Sequence, residues 1–220
     1  MRQLIREFEL QGLAENKIPM ENYMKNRYSF VGVKAVARRE QSKELISQSK
    51  KVSLEELFEM IRELYEREER EYQNVAIDMC EANFKRLSWE ELEKYTKFIQ
   101  EKSWWDTVDA WRKIYGLYIK KYPEDKEKVF DYFYGHDNLW MRRVAINLQL
   151  MEKELTNTDL LSKAIWYDIR TDEFFIQKAI GWSLRQYAKT NPEWVIAFVE
   201  ENELTIFAQK EALKLLNKNL

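Results

Sequence analysis

The sequence has 220 residues, of which 45% are hydrophobic and 34% charged, with a formal net charge of −2 at neutral pH. This mixture excludes a disordered chain, and the net charge argues only weakly against nucleic acid, because a phosphate backbone responds to local rather than total charge. With only 5 Gly and 3 Pro, the chain lacks the turn residues of an all-β fold, so helices joined by short polar links are expected.

The first 50 residues are predicted to form an atypical N-terminal capping unit. They fit the repeat described below poorly, as terminal repeats often do. The opening residues contain no uninterrupted apolar segment, and the chain has no run of 18 apolar residues. We therefore expect a soluble, cytoplasmic protein. The single cysteine, Cys80, precludes an intrachain disulfide and lies in an apolar run, which favours a buried thiol.

Apolar residues recur at three- and four-residue spacing through the rest of the chain, which predicts about a dozen amphipathic helices. Ser53 followed by Glu56 predicts a capping box at one helix start, and Ser88 followed by Glu91 predicts another. Thr171, three residues before Phe174, marks a later start without the reciprocal carboxylate.

A repeat of about 34 residues is superimposed on this pattern. Five alanines are separated by 34, 35, 34 and 33 residues, and four of the five residues that lie five positions earlier are aromatic; the alanines are Ala76, Ala110, Ala145, Ala179 and Ala212. This length fits a pair of helices, with alanine where two helices approach closely. We predict an all-α fold, an α–α superhelical solenoid of about six helix pairs, forming a single domain over residues 1–220.

A carboxylate and an indole fall on one face of a repeat helix. Trp105 and Asp109 are four residues apart in Trp104-Trp105-Asp106-Thr107-Val108-Asp109, so they share that face. The alternative is structural: the tryptophans lie in the core and Asp109 pairs with a nearby cation.

The next two repeats add cationic and aromatic candidates. Arg142 and Arg143 are adjacent and about 100° apart around a helix, so only one faces the same way as Asp109; the register favours Arg143 without settling the choice. Trp182 and Arg185 share a face one repeat later. Gly181, beside them, permits either close helix packing or the approach of a large ligand.

Basic residues in the same repeats predict a local DNA-facing surface in spite of the net charge. The structural alternative is that these are solvated helix positions. They are Arg112, Lys113, Lys120, Lys121, Arg142, Arg143, Lys178, Arg185 and Lys189.

Other chemistries are poorly supported. His136 is the only histidine, which excludes a catalytic triad built on histidine and a multi-histidine metal site. It is predicted to be a loop residue. The five glycines are scattered singly, so no phosphate-binding glycine motif is present. No metal or cofactor is expected.

Several segments together resemble the DNA alkylation repair enzymes, the AlkD-type family of HEAT-like repeat glycosylases. The resemblance covers nearly the whole chain in order and spacing; its segments are Tyr23-Met24-Lys25-Asn26, Phe30-Val31-Gly32-Val33, Trp104 to Asp109, Leu139 to Ile146, Phe175 to Trp182, and Lys210 to Lys214.

The resemblance implies stacked HEAT-like helix pairs and a DNA glycosylase that excises 3-methyladenine, 7-methylguanine and similar cationic purines from double-stranded DNA. It implies Asp109 as the catalytic aspartate, Trp105 and Trp182 as active-site tryptophans, and Arg143 as the active-site arginine. A DNA contact is implied at Arg185.

The remaining expected DNA contacts are Lys178, Arg142, Tyr23 and Lys34. Val36 stands where family members tend to carry proline, which puts the local loop path and the contacts of Tyr23 and Lys34 in question. The resemblance also implies a lesion held against a shallow surface, whereas many glycosylases flip the base into a pocket; periodicity does not decide between them.

Two other functions remain open at this point. One is a non-enzymatic helical-repeat scaffold that binds a protein or peptide, which would not need Asp109 beside Trp105. The other is a relative that binds structured DNA without glycosylase activity. Glycosylase is the favoured prediction, with duplex DNA as partner and a monomer as the default state.

Overall fold

A computed structural model describes residues 2–216, with side chains from Leu4 onward, and every regular element in that range is helical. The chain divides into two compact units, with the boundary after Phe98. The helices that begin in the first unit are α1 (Arg2–Glu7), α2 (Ala14–Tyr23), α3 (Ala35–Ser49), α4 (Leu54–Glu66), α5 (Arg70–Asn83), α6 (Trp89–Lys94) and α7 (Lys97–Gln100).

The second unit continues with longer helices and short links. Its helices are α8 (Trp105–Lys121), α9 (Lys126–Phe133), α10 (Leu139–Asn147), α11 (Thr158–Asp168), α12 (Phe174–Tyr187), α13 (Pro192–Glu201) and α14 (Ile206–Ala212). Short 3₁₀ turns interrupt the links at Phe84–Arg86, Pro123–Asp125, Lys153–Leu155 and Leu213–Leu215.

Local capping sets several helix starts. The Ser53 hydroxyl accepts a hydrogen bond from the Glu56 amide at 3.1 Å, and the Ser88 hydroxyl accepts one from the Glu91 amide at 3.3 Å, as the sequence predicts. The Thr171 prediction is wrong by two residues: its hydroxyl accepts from the Glu173 amide at 3.4 Å, and Glu173 is the N-cap of α12. Thr171 therefore orders the turn before the helix.

The predicted all-α superhelical fold is confirmed, and the five repeating alanines each lie on a helix: α5, α8, α10, α12 and α14. Within the second unit, α8 contacts α10, α10 contacts α12, and α12 contacts α14. Ala145, Ala179 and Ala212 are buried there, where a larger side chain would separate the helices. Ala110 is the exception and is only half-buried.

Aromatic residues at the N-terminal ends of α8, α10, α12 and α14 connect these helices of the second unit. Trp104 packs against Trp140 with ring centroids 5.8 Å apart, and Trp140 packs against Phe175 at 5.0 Å. Phe174 continues the row to Phe207 at 5.3 Å. Trp104, the N-cap residue of α8, makes the contact with Trp140 in this row.

In the first unit, the residue five positions before the repeating alanine is a glutamate, Glu71, where the later repeats have an aromatic residue. Glu71 is buried, and its side chain accepts hydrogen bonds from the backbone amides of Val31, Gly32 and Val33 at 2.9–3.0 Å. It thereby fixes the segment that leads into α3. Cys80 is buried as predicted, and burial raises the pKa of its thiol.

None of the helices in the described part of the chain is long and apolar enough to cross a membrane. The single-domain prediction for residues 1–220, and the capping role predicted for residues 1–50, stay predictions.

Candidate active site

Helix α8 presents two different stripes. Val108, Trp111, Tyr115 and Tyr118 are buried in the core of the second unit. The other stripe carries Trp105, Asp109, Arg112 and Gly116, at spacings of four, three and four residues, so that their side chains follow one side of the helix. The Trp105 side chain is half-buried on this second stripe.

Asp109 forms a bidentate ion pair with Arg143 of α10. Arg143 Nε donates to one Asp109 carboxylate oxygen at 2.9 Å and Nη2 to the other at 2.8 Å, while Nη1 donates to the Phe175 carbonyl oxygen at 2.5 Å. The Arg143 side chain is 4% exposed, whereas that of Asp109 is 20% exposed. The carboxylate is therefore held in one orientation but remains open to solvent.

The two adjacent arginines point to different partners. Arg142 Nε donates to both carboxylate oxygens of Asp168, at 3.0 and 3.1 Å, and its Nη1 donates to the carbonyl oxygens of His136 and Asp137. Burial raises the pKa of Asp168, while Arg142 opposes that shift. Arg143, not Arg142, is thus the arginine beside Asp109. The DNA contact predicted for Arg142 stays a prediction.

Trp182 of α12 lies next to two guanidinium groups. The Cζ atoms of Arg112 and Arg143 are each 6.0 Å from the centroid of its ring. Trp182 is only partly buried, so part of the indole remains accessible. The structure therefore brings Asp109, Arg143 and Trp182 together, with Arg112 added.

Lys178 and Arg185 flank Trp182 on α12 and share a carboxylate from α14. Lys178 Nζ lies 2.9 Å from one Glu211 carboxylate oxygen, and Arg185 pairs with the other. Burial lowers the pKa of Lys178, with a further contribution from the charges of Arg185 and Arg143, and burial also lowers the pKa of Arg185. Both side chains remain partly exposed.

Gly181 explains how α14 comes so close. A Cβ atom at this position would lie 2.6 Å from Glu211 Cβ and 3.0 Å from the Ala208 carbonyl oxygen. Close helix packing is therefore the role of this glycine.

These side chains form one group, which we call the Trp182 cluster: Asp109, Arg112, Arg143, Lys178, Trp182, Arg185 and Glu211. Its four cations and two carboxylates give a net charge of +2. A protein of net charge −2 thus has a local positive surface, which favours an anionic ligand.

Tyr23 and Lys34 belong to the first unit. Tyr23 is the exposed last residue of α2, and Lys34 is the exposed N-cap of α3. Val36 lies in the first turn of α3 and is 79% exposed. Proline is also tolerated at the start of a helix, so valine at this position is compatible with the same helix start. The DNA contacts of Tyr23 and Lys34 stay predictions.

The sequence placed Arg112 only in the predicted DNA-facing surface and not beside Asp109, and it did not indicate Glu211 as a member of the site. Arg112 lies three residues after Asp109, a spacing that places it on the same stripe. Glu211 carried no comparable signal, because only the packing of α14 on α12 brings it to Lys178 and Arg185.

The described residues contain no group of three or more His, Cys, Asp or Glu side chains arranged to hold a metal ion. His136 lies outside the helices, as predicted, and its Nδ1 accepts a hydrogen bond from the Asn138 amide at 2.9 Å.

Comparison with known proteins agrees with this architecture. The family model for DNA alkylation repair enzymes matches residues 4–216. A solved structure from Enterococcus faecalis, described as a predicted DNA alkylation repair enzyme, is 47% identical to this chain, with a TM-score of 0.94. That similarity covers 96% of this chain and 99% of the other. No curated protein sequence matches. On this sequence and structural similarity, the chain belongs to the DNA alkylation repair enzyme family.

Proposed function

We propose that the protein is a DNA glycosylase that hydrolyses the N-glycosidic bond of cationic N3- and N7-alkylated purines, such as 3-methyladenine and 7-methylguanine. The observation that carries this proposal is the Asp109 carboxylate, which Arg143 holds through both oxygens while leaving it 20% exposed. The same guanidinium lies 6.0 Å from the Trp182 ring centroid.

Cleavage of this N-glycosidic bond does not need a general acid to protonate the leaving base. Alkylation at N3 or N7 puts a positive charge on the purine, so the bond to the sugar breaks with its electron pair moving onto the base and neutralising that charge. The sugar is left as an oxocarbenium ion. Water then adds to the anomeric carbon and loses a proton. Ordinary glycosidases need a second carboxylic acid to protonate the leaving group, and here the charge of the lesion replaces it.

Asp109 is suited to the demanding part of this reaction. Each of its oxygens accepts one hydrogen bond from Arg143, so each retains a lone pair for the developing sugar cation or for the attacking water. A fixed carboxylate stabilises the transition state without having to reorganise during the reaction. We assign Arg143 the role of orienting Asp109, because all three of its nitrogens already donate hydrogen bonds. An arginine is also suited to anchoring a phosphate next to the lesion, and for Arg143 such a contact stays a prediction.

The two tryptophans account for selectivity. Trp105 and Trp182 both keep accessible indole surface. A cationic nucleotide gains about 0.5–2 kcal/mol from each such aromatic contact, according to its desolvation, whereas a neutral purine gains less. Lys178 and Arg185 are proposed to contact the DNA backbone. We expect the protein to act on duplex DNA as a cytoplasmic monomer in base excision repair.

Replacing the carboxylate with its neutral amide tests the proposal. The wild-type protein should release 7-methylguanine or 3-methyladenine from methylated duplex DNA, measured by chromatography of the freed bases. Asp109→Asn should abolish release while duplex binding largely survives. Asp106→Asn, one turn earlier on the same helix, removes the same charge and should retain activity.

Two results would contradict the proposal. Undiminished release by Asp109→Asn would remove this residue from its assigned role. A wild-type protein that neither releases a base nor binds duplex DNA would instead favour a protein-binding scaffold.

A further inference from the structure

Arg112 is a buried cation that has no hydrogen-bonded partner among residues 4–216. It is 8% exposed, and within that range its fully enclosed Nε has no acceptor. Its guanidinium also forms no ion pair within 4 Å with any of these residues, and its Cζ atom lies 6.0 Å from the centroid of the Trp182 ring. Buried guanidinium groups are normally paired, because an unpaired buried charge is costly.

Arg143 shows how unusual this state is within the same cluster. It is buried still more deeply, and each of its three nitrogens has an acceptor. Among the described residues, Asp109 is the carboxylate whose charge acts on Arg112, but it makes its hydrogen bonds to Arg143 and lies beyond ion-pair distance of Arg112. Burial lowers the pKa of Arg112, the charge of Arg143 lowers it further, and Asp109 opposes both effects.

Arg112 is also the one cation of the Trp182 cluster that forms no ion pair with either of the cluster's carboxylates. Asp109 pairs with Arg143, and Glu211 pairs with Lys178 and Arg185. An uncompensated positive charge beside Trp182 would repel the cationic base that the site is proposed to accept. The conflict is removed if an anion belonging to the substrate compensates Arg112 when DNA is bound.

We propose that the Arg112 guanidinium binds a backbone phosphodiester of the DNA strand next to the nucleotide being excised, an inference that rests on the glycosylase function proposed above. The terminal nitrogens make this contact, because Nε is enclosed. Arginine suits a phosphate because its planar donors match two phosphate oxygens. Arg112 is thus a binding residue that holds the lesion strand within one helical turn of Asp109.

Neutral replacement of Arg112 should produce an unusual pair of effects. Arg112→Met removes an unpaired buried charge at similar volume, so the free protein should be as stable as the wild type or more stable. Its affinity for duplex DNA should fall. The slope of log affinity against log salt concentration, which is negative, should become shallower by about 0.9. That slope change corresponds to roughly eightfold weaker binding at 0.1 M salt.

Two matched variants separate this contact from a general loss of charge. Arg112→Lys keeps the charge and should keep the slope. Lys128→Met removes one charge from an exposed position of α9, outside the predicted DNA-facing surface, and should leave the slope near that of the wild type. Binding is measured on a duplex carrying a tetrahydrofuran abasic site, which supplies the backbone without a cleavable base.

A series of the same duplexes, each with a single neutral methylphosphonate linkage near the lesion, identifies the phosphate. One linkage should weaken the wild-type protein and leave Arg112→Met unaffected. The inference is overturned if Arg112→Met keeps the wild-type slope, or if it responds to every methylphosphonate as the wild type does. Failure of the glycosylase proposal is distinct, since it would appear as absent base release or absent binding by the wild type.

Discussion

Arg112, Arg142 and Arg143 place the same chemical group in three environments. Arg142 is fixed between Asp168 and the carbonyl oxygens of the loop before α10. Arg143 directs its forked donors at both oxygens of Asp109. Arg112 has no acceptor among the described residues. Their neighbours therefore suit them to different proposed functions: a structural pair for Arg142, the orientation of a carboxylate for Arg143, and the binding of a phosphate for Arg112.

The orienting function of Arg143 predicts energetic coupling with Asp109. Arg143→Lys keeps the positive charge but cannot reproduce two parallel N–H donors, so base release should slow. In a double-mutant cycle with Asp109→Glu, which displaces the carboxylate without removing it, the coupling free energy should reach about 1–3 kcal/mol, because the two changes disturb one unit. Single-turnover rates of base release at saturating enzyme measure it.

Arg142→Lys is the matched control for this cycle. It makes the same substitution one position earlier and disrupts the Asp168 pair, so it should reduce stability but leave the single-turnover rate close to that of the wild type. The DNA contact predicted for Arg142 would change the affinity for DNA and not this rate, because the enzyme is saturating. Equal rate losses at both arginines, or additive losses in the Arg143–Asp109 cycle, would show that Arg143 does not act through Asp109.

Helical spacing explains which site residues could be predicted from the sequence. Trp105 and Asp109 share a face because they lie on one helix, and so do Trp182 and Arg185. Contacts between helices depend on how each helix is rotated, and neighbouring residues differ by about 100° in that rotation. The choice between Arg142 and Arg143, and the arrival of Glu211, therefore became visible only in the packed structure.

The packing of α12 on α14 depends on a glycine, Gly181, which has no side chain. Gly181 lets Glu211 approach, and Glu211 in turn engages the two cations on either side of Trp182. The same contact explains why glycine occupies the middle of a helix, where alanine would be favoured by about 1 kcal/mol on propensity alone. The sequence predicted this helix and left two roles open for Gly181, close helix packing or the approach of a ligand. The short distance between Gly181 and Glu211 of α14 decides for packing.

Gly181→Ala should therefore destabilise the protein in spite of the gain in helix propensity. The added Cβ atom would lie 2.6 Å from Glu211 Cβ, so α14 must shift, at a cost of about 1–3 kcal/mol. The displaced carboxylate should also change DNA affinity through Lys178 and Arg185. Chemical unfolding and duplex binding measure the two effects.

Gly116→Ala provides a graded comparison on α8. Its added Cβ atom would lie 3.1 Å from the Leu148 carbonyl oxygen, a milder conflict, so the loss of stability should be smaller. If Gly181→Ala proves as stable as the wild type or more stable, helix propensity dominates and the close approach of α14 is not a constraint.

The whole molecule contains two compact units that meet in sequence after Phe98. A repeat array builds stability from contacts between neighbouring repeats, so a boundary in the chain need not make independent folding units. The Ala76-to-Ala110 interval of the repeat spans this boundary at the same length as the intervals within the second unit. That continuity supports the prediction of a single cooperative domain.

Two probes that the sequence already contains can test this cooperativity. Cys80, the only cysteine, is buried in the first unit, while seven of the eight tryptophans lie in the second. Thiol labelling during short pulses in denaturant reports opening around Cys80, and tryptophan fluorescence mainly reports the second unit. For one cooperative domain, both transitions should share a midpoint and a slope, because two-state unfolding gives coincident curves from different probes. Labelling that begins well before the fluorescence changes would instead mean that the first unit opens alone, and the single-domain prediction would be wrong.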